Sequence, residues 1–114
     1  MVLLQDLQSG ITEGANLGRG EKAMAKRVDA NQRQIVEALR SMGCSVETRL
    51  SQLGQGAPDL LVGKCGKSIV MEVKSGSNCL TEDEKAWKAS WKGSYAVVRS
   101  PEQAIEVMED LIEQ

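Results

Sequence analysis

The stretch Ser68–Lys74 (SIVMEVK) sets a glutamate and a lysine two positions apart, and Pro58-Asp59 precedes it at hairpin distance. In a strand, side chains alternate between faces with period two. Ile69, Met71 and Val73 then share one face, and Ser68, Val70, Glu72 and Lys74 the other. Glu72 and Lys74 become neighbours roughly 6–7 Å apart. The hairpin Asp59–Lys74 brings Asp59 alongside Glu72. Two converging carboxylates form a hard oxygen site that suits Mg²⁺ or Mn²⁺. Such an ion activates a water and neutralises charge building on a phosphate. An adjacent ammonium stabilises the transition state or orients the water. These parts suffice for hydrolysing a phosphodiester. The bland alternative is an edge-exposed Glu72–Lys74 ion pair that contributes little.

The remaining candidates are fewer and weaker. The chain has no histidine, so acid–base chemistry falls to carboxylates, lysine, thiols or metal-bound water. Cys44, Cys65 and Cys79 are odd in number and form no CxxC pair, which argues against a zinc site and for reduced thiols in a cytoplasmic protein. Gln55 sits in the loop Gly54–Pro58, where glycines allow backbone to approach a phosphate; a plain loop residue is the competing reading. Lys85, Lys88 and Lys92 recur at helical spacing, either as a solvated face or as a ridge tracking phosphates. Arg99 can meet DNA or the acidic end of the chain. Trp87 and Trp91, four apart with Leu80 below them, are expected to pack in the core against the sheet, ahead of any role in base stacking.

The elements that must position these residues follow from pattern and punctuation. A helix is expected over Asp29–Met42, with Asp29 as N-cap, Gln32 at the N3 position of a capping box and Gly43 as its stop. Ser45–Leu50 alternates as a half-buried strand. Asp59–Val62 reads as a short strand covered on both faces, followed by the tight turn Gly63–Lys67 and the strand Ser68–Lys74 in an antiparallel meander. Thr81-x-x-Glu84 opens a helix over Leu80–Trp91. Tyr95–Val98 is a strand, and Ser100-Pro101 starts a final helix whose apolar face is Ala104, Ile105, Met108, Leu111 and Ile112. The expected fold is α/β (α+β), a mixed sheet with helices on its faces. Residues 1–27, with glycines at 10, 14, 18 and 20, read as a flexible arm, with Val2–Leu7 as a short apolar anchor and Glu21–Arg27 open to helix.

The 114 residues suffice for one core, and 41% apolar with 26% charged residues is ordinary for a globular domain. No apolar run approaches the ~20 residues of a membrane span, and the start lacks the basic and apolar regions of a signal peptide. The net charge of −2 is unusual for a DNA binder, but five acids (Glu102, Glu106, Glu109, Asp110, Glu113) crowd the last 14 residues, which hold no base. Without them residues 1–100 carry 14 bases against 11 acids, which permits a basic face.

The stretches VDANQRQIVEALRSMG, GQGAPDLLVG, MEVKSG, LTEDEKAWKASW and AVVRSPEQAIEVM together resemble the PD-(D/E)XK nuclease superfamily, and within it the stand-alone VRR-NUC branch of phages and bacteria. The resemblance covers Val28–Gln114, about three-quarters of the chain. It implies a restriction-endonuclease-like αβββαβ core with an added C-terminal helix, metal-dependent DNA cleavage, and a homodimer acting on branched, flap or junction DNA in the bacterial or phage-infected cytoplasm. It implies Asp59 and Glu72 as metal ligands, the Val73 carbonyl as a third, and Lys74 as the catalytic lysine, with no organic cofactor and no membrane partner. One position departs: where the superfamily often has a glutamate on the first helix, this chain has Gln32, which serves either the metal's surroundings or a capping box. Glu37 and Glu21 are alternative acids, with Glu37 expected to face solvent. Two further readings stand beside the nuclease: a non-catalytic module that keeps the fold to bind DNA or protein, and a metal-dependent hydrolase of another phosphate ester.

Overall fold

The computed structural model describes residues 19–114, with side chains described from residue 30 onward. The elements run α1 (Arg19–Ser41), β1 (Ser45–Glu47), β2 (Leu60–Lys64), β3 (Lys67–Val73), α2 (Glu82–Ser90), β4 (Tyr95–Val98) and α3 (Pro101–Glu113), with a short 3₁₀ turn at Leu50–Leu53. The result is an α+β fold with a four-stranded mixed sheet in the order β1-β2-β3-β4. β1–β2 and β2–β3 pair antiparallel, and β3–β4 pair parallel through the α2 crossover. Among the described residues no helix is long and apolar enough to cross a membrane.

Helix α1 is already formed at Arg19, the first described residue, ten positions before Asp29. Apart from Gly20 in its first described turn, the intervening segment, EKAMAKRV, consists mostly of good helix formers. Asp29 and Gln32 therefore lie inside a continuous helix, which rules out the expected cap at Asp29 and the capping-box role of Gln32. Glu21–Arg27 is helical, while the expected arm over residues 1–18, with its anchor Val2–Leu7, lies outside the described residues. At the other end the Lys64 ammonium donates to the Met42 carbonyl at 2.7 Å, closing the C-terminus of α1 beside Gly43.

Strand β1 is also shorter than its alternation suggests. Both the backbone N–H and the guanidinium of Arg49 donate to the Glu47 carboxylate (2.9 Å each), which turns the chain out of the sheet. Leu53, in the turn that follows, is 76% exposed. The β2–β3 hairpin closes on Cys65-Gly66, both at positive φ (56° and 77°), as a two-residue turn matched to strand twist requires.

The core lies on one face of the sheet. Leu60 and Val62 of β2, Ile69, Met71 and Val73 of β3, and Val98 of β4 pack against Ile35, Val36 and Leu39 of α1 and Ala104, Met108 and Leu111 of α3. The period-two and period-3.6 patterns agree on that face. Helix α3 is capped as its sequence suggests: Gln103 N–H donates to Ser100 Oγ (3.1 Å) and Arg99 N–H to Gln103 Oε1 (2.7 Å). Lys67 donates to the Leu111 carbonyl (3.1 Å) at its far end. The opposite face carries Val70, Glu72 and Tyr95, and helix α2 lies on that side.

The carboxylate–lysine site under helix α2

Register places the acidic pair. Leu60 pairs with Met71, so Asp59, one residue before β2, stands opposite Glu72. The Asp59 carboxylate is fixed by β3 itself, accepting the Val73 N–H at 2.8 Å. Glu72 is 4% exposed, the only polar or charged side chain among the buried described residues. The exposed-ion-pair reading of Glu72–Lys74 therefore fails. Lys74 follows two residues on, at the end of β3, with its N–H donating to the Val98 carbonyl (3.0 Å). Its ammonium lies 3.7 Å from Glu72 Oε2.

Sequence reasoning missed a fourth residue. Glu84 Oε1 lies 2.7 Å from the Lys74 ammonium, closer than Glu72 Oε2 at 3.7 Å. The same oxygen accepts the Thr81 N–H at 2.8 Å, and the Glu84 N–H donates to Thr81 Oγ1 at 3.2 Å. The capping box thus forms as expected and also delivers a carboxylate to the lysine. Helix α2 is held in place from below: Gly56 has φ +81°, and a Cβ there would run into the backbone carbonyl of Asp83. The local signal for Glu84 was present as a cap; its contact with Lys74 is tertiary.

Burial dominates the electrostatics. Desolvation, then the charges of Asp59 and Glu84, push the Glu72 carboxyl up to about 8. Burial also raises Asp59, against the Val73 N–H that favours its ionised form. Burial works to raise Glu84 too, but its bonds from Lys74 and Thr81 outweigh that and hold it below its ordinary value. Burial opposes the Lys74 ammonium, yet Glu84, Glu72 and Asp59 together lift its pKa above the usual lysine value. Tyr95, buried near these carboxylates, is raised to about 12.

A divalent cation fits this chemistry. Glu72 Oε1 is buried without a hydrogen-bond partner, an expensive condition that a cation beside it relieves. Among the described residues no three His, Cys, Asp or Glu side chains stand together as a ready ligand set. An ion would be held by Asp59 and Glu72, with main-chain oxygen and water completing its shell.

The other sequence candidates are placed less centrally. Gln32 is half-buried, and among the described residues no hydrogen bond joins it to Asp59, Glu72 or Lys74. The α1 amide that reaches this end of β3 is Asn31, donating to the Lys74 carbonyl at 3.3 Å. Glu37 is exposed, as expected. Gln55 is exposed in its loop. Arg99 donates to the Gly76 carbonyl (2.9 Å), bracing the loop after β3, and lines a cleft of about 450 Å³ beside β4 with Leu80, Gln103 and Glu106. Lys85 pairs with Glu82 at 3.3 Å, and Lys88 sits over the Tyr95 ring at 5.5 Å. The core placement fails for Trp91, which is 41% exposed, while Trp87 is half-buried and packs against the sheet at Tyr95 (6.2 Å) but outside the core. Their four-residue spacing serves a mutual stack, with ring centroids 5.0 Å apart. The chain matches no protein-family model, no curated protein and no solved structure.

Proposed function

We propose that this protein is a metal-dependent endonuclease that hydrolyses DNA phosphodiester bonds, selects branched, flap or junction DNA, and works as a homodimer. The observation that carries the reading is Glu72. A buried carboxylate with one unpartnered oxygen, opposite a second carboxylate and beside a lysine, costs stability in a fold of this size. Burial with a like-charged neighbour is the means by which active sites shift the pKa of their acids and bases. The motif PD…ExK and the element order around it support the same conclusion.

Asp59, Glu72 and the Val73 carbonyl would hold Mg²⁺ or Mn²⁺. The ion supplies positive charge against the scissile phosphate and makes a water more acidic. The chain's own residues do the rest. Asp59 is pre-oriented by the Val73 N–H. Lys74 presents an ammonium to the phosphate oxygens or the attacking water, and its pKa keeps it charged at neutral pH. Glu84 fixes where that ammonium points.

The test is cleavage of labelled duplex, flap, splayed and four-way DNAs in Mg²⁺ or Mn²⁺ by the protein and its Lys74→Ala variant. The expected result is metal-dependent cutting that falls at least about 100-fold in the variant. Binding without cutting of any substrate would replace the enzyme with a DNA-binding module.

A further inference from the structure

Helix α2 offers a surface that its role in the fold does not explain. A tryptophan is usually worth its size through burial, yet no residue of this nine-residue helix is fully buried and Trp91, just past its end, is 41% exposed. Trp87 and Trp91 instead stack face to face at 24°, and Trp87 continues to Tyr95 with centroids 6.2 Å apart. Local contacts set the orientation of Trp91. Its indole N–H donates to the Ser94 carbonyl at 3.0 Å, and its ring lies so close over Gly93 that a Cβ there would come within 3.0 Å of it.

The stack starts at the carboxylate–lysine site. Tyr95 pairs with Val70 on β3, two residues before Glu72 and on the same face of the sheet. Its hydroxyl is buried without a partner. From there the rings lead outward through Trp87 to exposed Trp91. Lys88 and Lys92, both exposed, flank the rings on the same stretch of chain. Aromatic rings beside cations, one step from a phosphodiester site, match the needs of a single strand: bases stack on rings and phosphates meet ammonium groups. A duplex keeps its bases within its own stack and gains little from an exposed indole.

We infer that Trp91, backed by Trp87 and Tyr95, is a stacking platform for an unpaired base of the DNA substrate, with Lys88 and Lys92 on the adjoining phosphates. The inference rests on the nuclease reading and deepens it: the substrate carries unpaired nucleotides next to the bond that is cut.

The chain's two tryptophans are both in this stack, so intrinsic tryptophan emission reports on the platform alone. The experiment titrates metal-free protein with a short oligothymidylate and, separately, with a blunt duplex, while following that emission. Wild-type, Trp91→Ala and Trp91→Phe proteins are compared, and protein concentration is varied without DNA. Quenching by the single strand is expected, at an affinity about tenfold or more above that for the duplex. Trp91→Ala weakens single-strand binding by about tenfold, and Trp91→Phe restores most of it. If Lys74-dependent cleavage persists while single strands leave emission unchanged, the platform is wrong and the nuclease stands. An emission shift that grows with protein concentration in the absence of DNA, together with a doubled mass, gives the surface to a second copy and overturns the platform. Absence of both binding and cleavage sinks the functional reading and the platform with it.

Discussion

Glu72 is the carboxyl through which pH acts most strongly on this fold. Its carboxyl is raised to about 8 from an ordinary value of 4.5, by burial first and by Asp59 and Glu84 next. Without metal, the folded protein therefore holds a proton there that the unfolded chain has released. That proton stabilises the fold fully below 4.5, and the contribution is lost as pH rises toward 8. Asp59, also raised, acts in the same direction. Glu84, held low, acts oppositely and only at the acid end. The metal-free melting temperature is expected to fall between about pH 5 and pH 8, and Glu72→Gln to flatten that fall. At the upper end the variant gains roughly 1 kcal/mol or more, about 4–8 °C. On the proposed reading, Mn²⁺ affinity is expected to rise through the same window, because binding would displace the proton. Calorimetry at several pH values measures both; equal pH slopes for wild type and Glu72→Gln would show that Glu72 is not the titrating group.

Among the elements, α2 is positioned by a contact made without side chains. Gly56 lets the loop before β2 press against the first turn of α2, at a φ of +81° that other residues rarely adopt. Gly56→Ala combines that strain with a collision against the Asp83 carbonyl. The expected cost is about 1–3 kcal/mol, together with a displaced Glu84 and a looser Lys74. A thermal melt that matches wild type would mean that the loop does not hold the helix. Relationships of this kind mark the limit of what the sequence displays. β3, β4 and α3 are legible because alternation, Ser-Pro punctuation and the 3.6-residue stripe are local and agree with one another. So is the opposition of Asp59 and Glu72, since a hairpin fixes its own register. The N-terminal extent of α1 is not, because Asp29 has the chemistry of a cap but lies in a continuous helix. Trp87 and Trp91 share a helix face that the sequence reveals, yet what that face meets depends on how α2 crosses the sheet. Glu84 already has a complete local explanation as a cap, which hides its contact with Lys74.

At the scale of the molecule, the two faces of the sheet are unequal. α1 and α3 bury the core on one side, and α3 carries there the five acids that make the chain net negative. The Asp59–Glu72–Lys74 site lies on the other side, under α2. That other side is thinly covered: Leu61 of β2 is 39% exposed, and no residue of α2 is fully buried. What holds α2 is the contact at Gly56, the Lys74–Glu84 ion pair and the Trp87–Tyr95 packing. An element secured by so few buried apolar contacts opens at lower free energy than the core. Amides in the second half of α2 are therefore expected to exchange hydrogen at least about tenfold faster than those in the middle of α3. DNA laid across the site would engage Lys74 and the tryptophans together, and so should slow exchange in α2 selectively, more with single-stranded or splayed DNA than with duplex. Hydrogen-exchange mass spectrometry resolves the two helices as separate peptides. Equal protection in the free protein would make α2 part of a single cooperative unit. A uniform slowing on DNA binding would place the substrate somewhere other than beneath this helix.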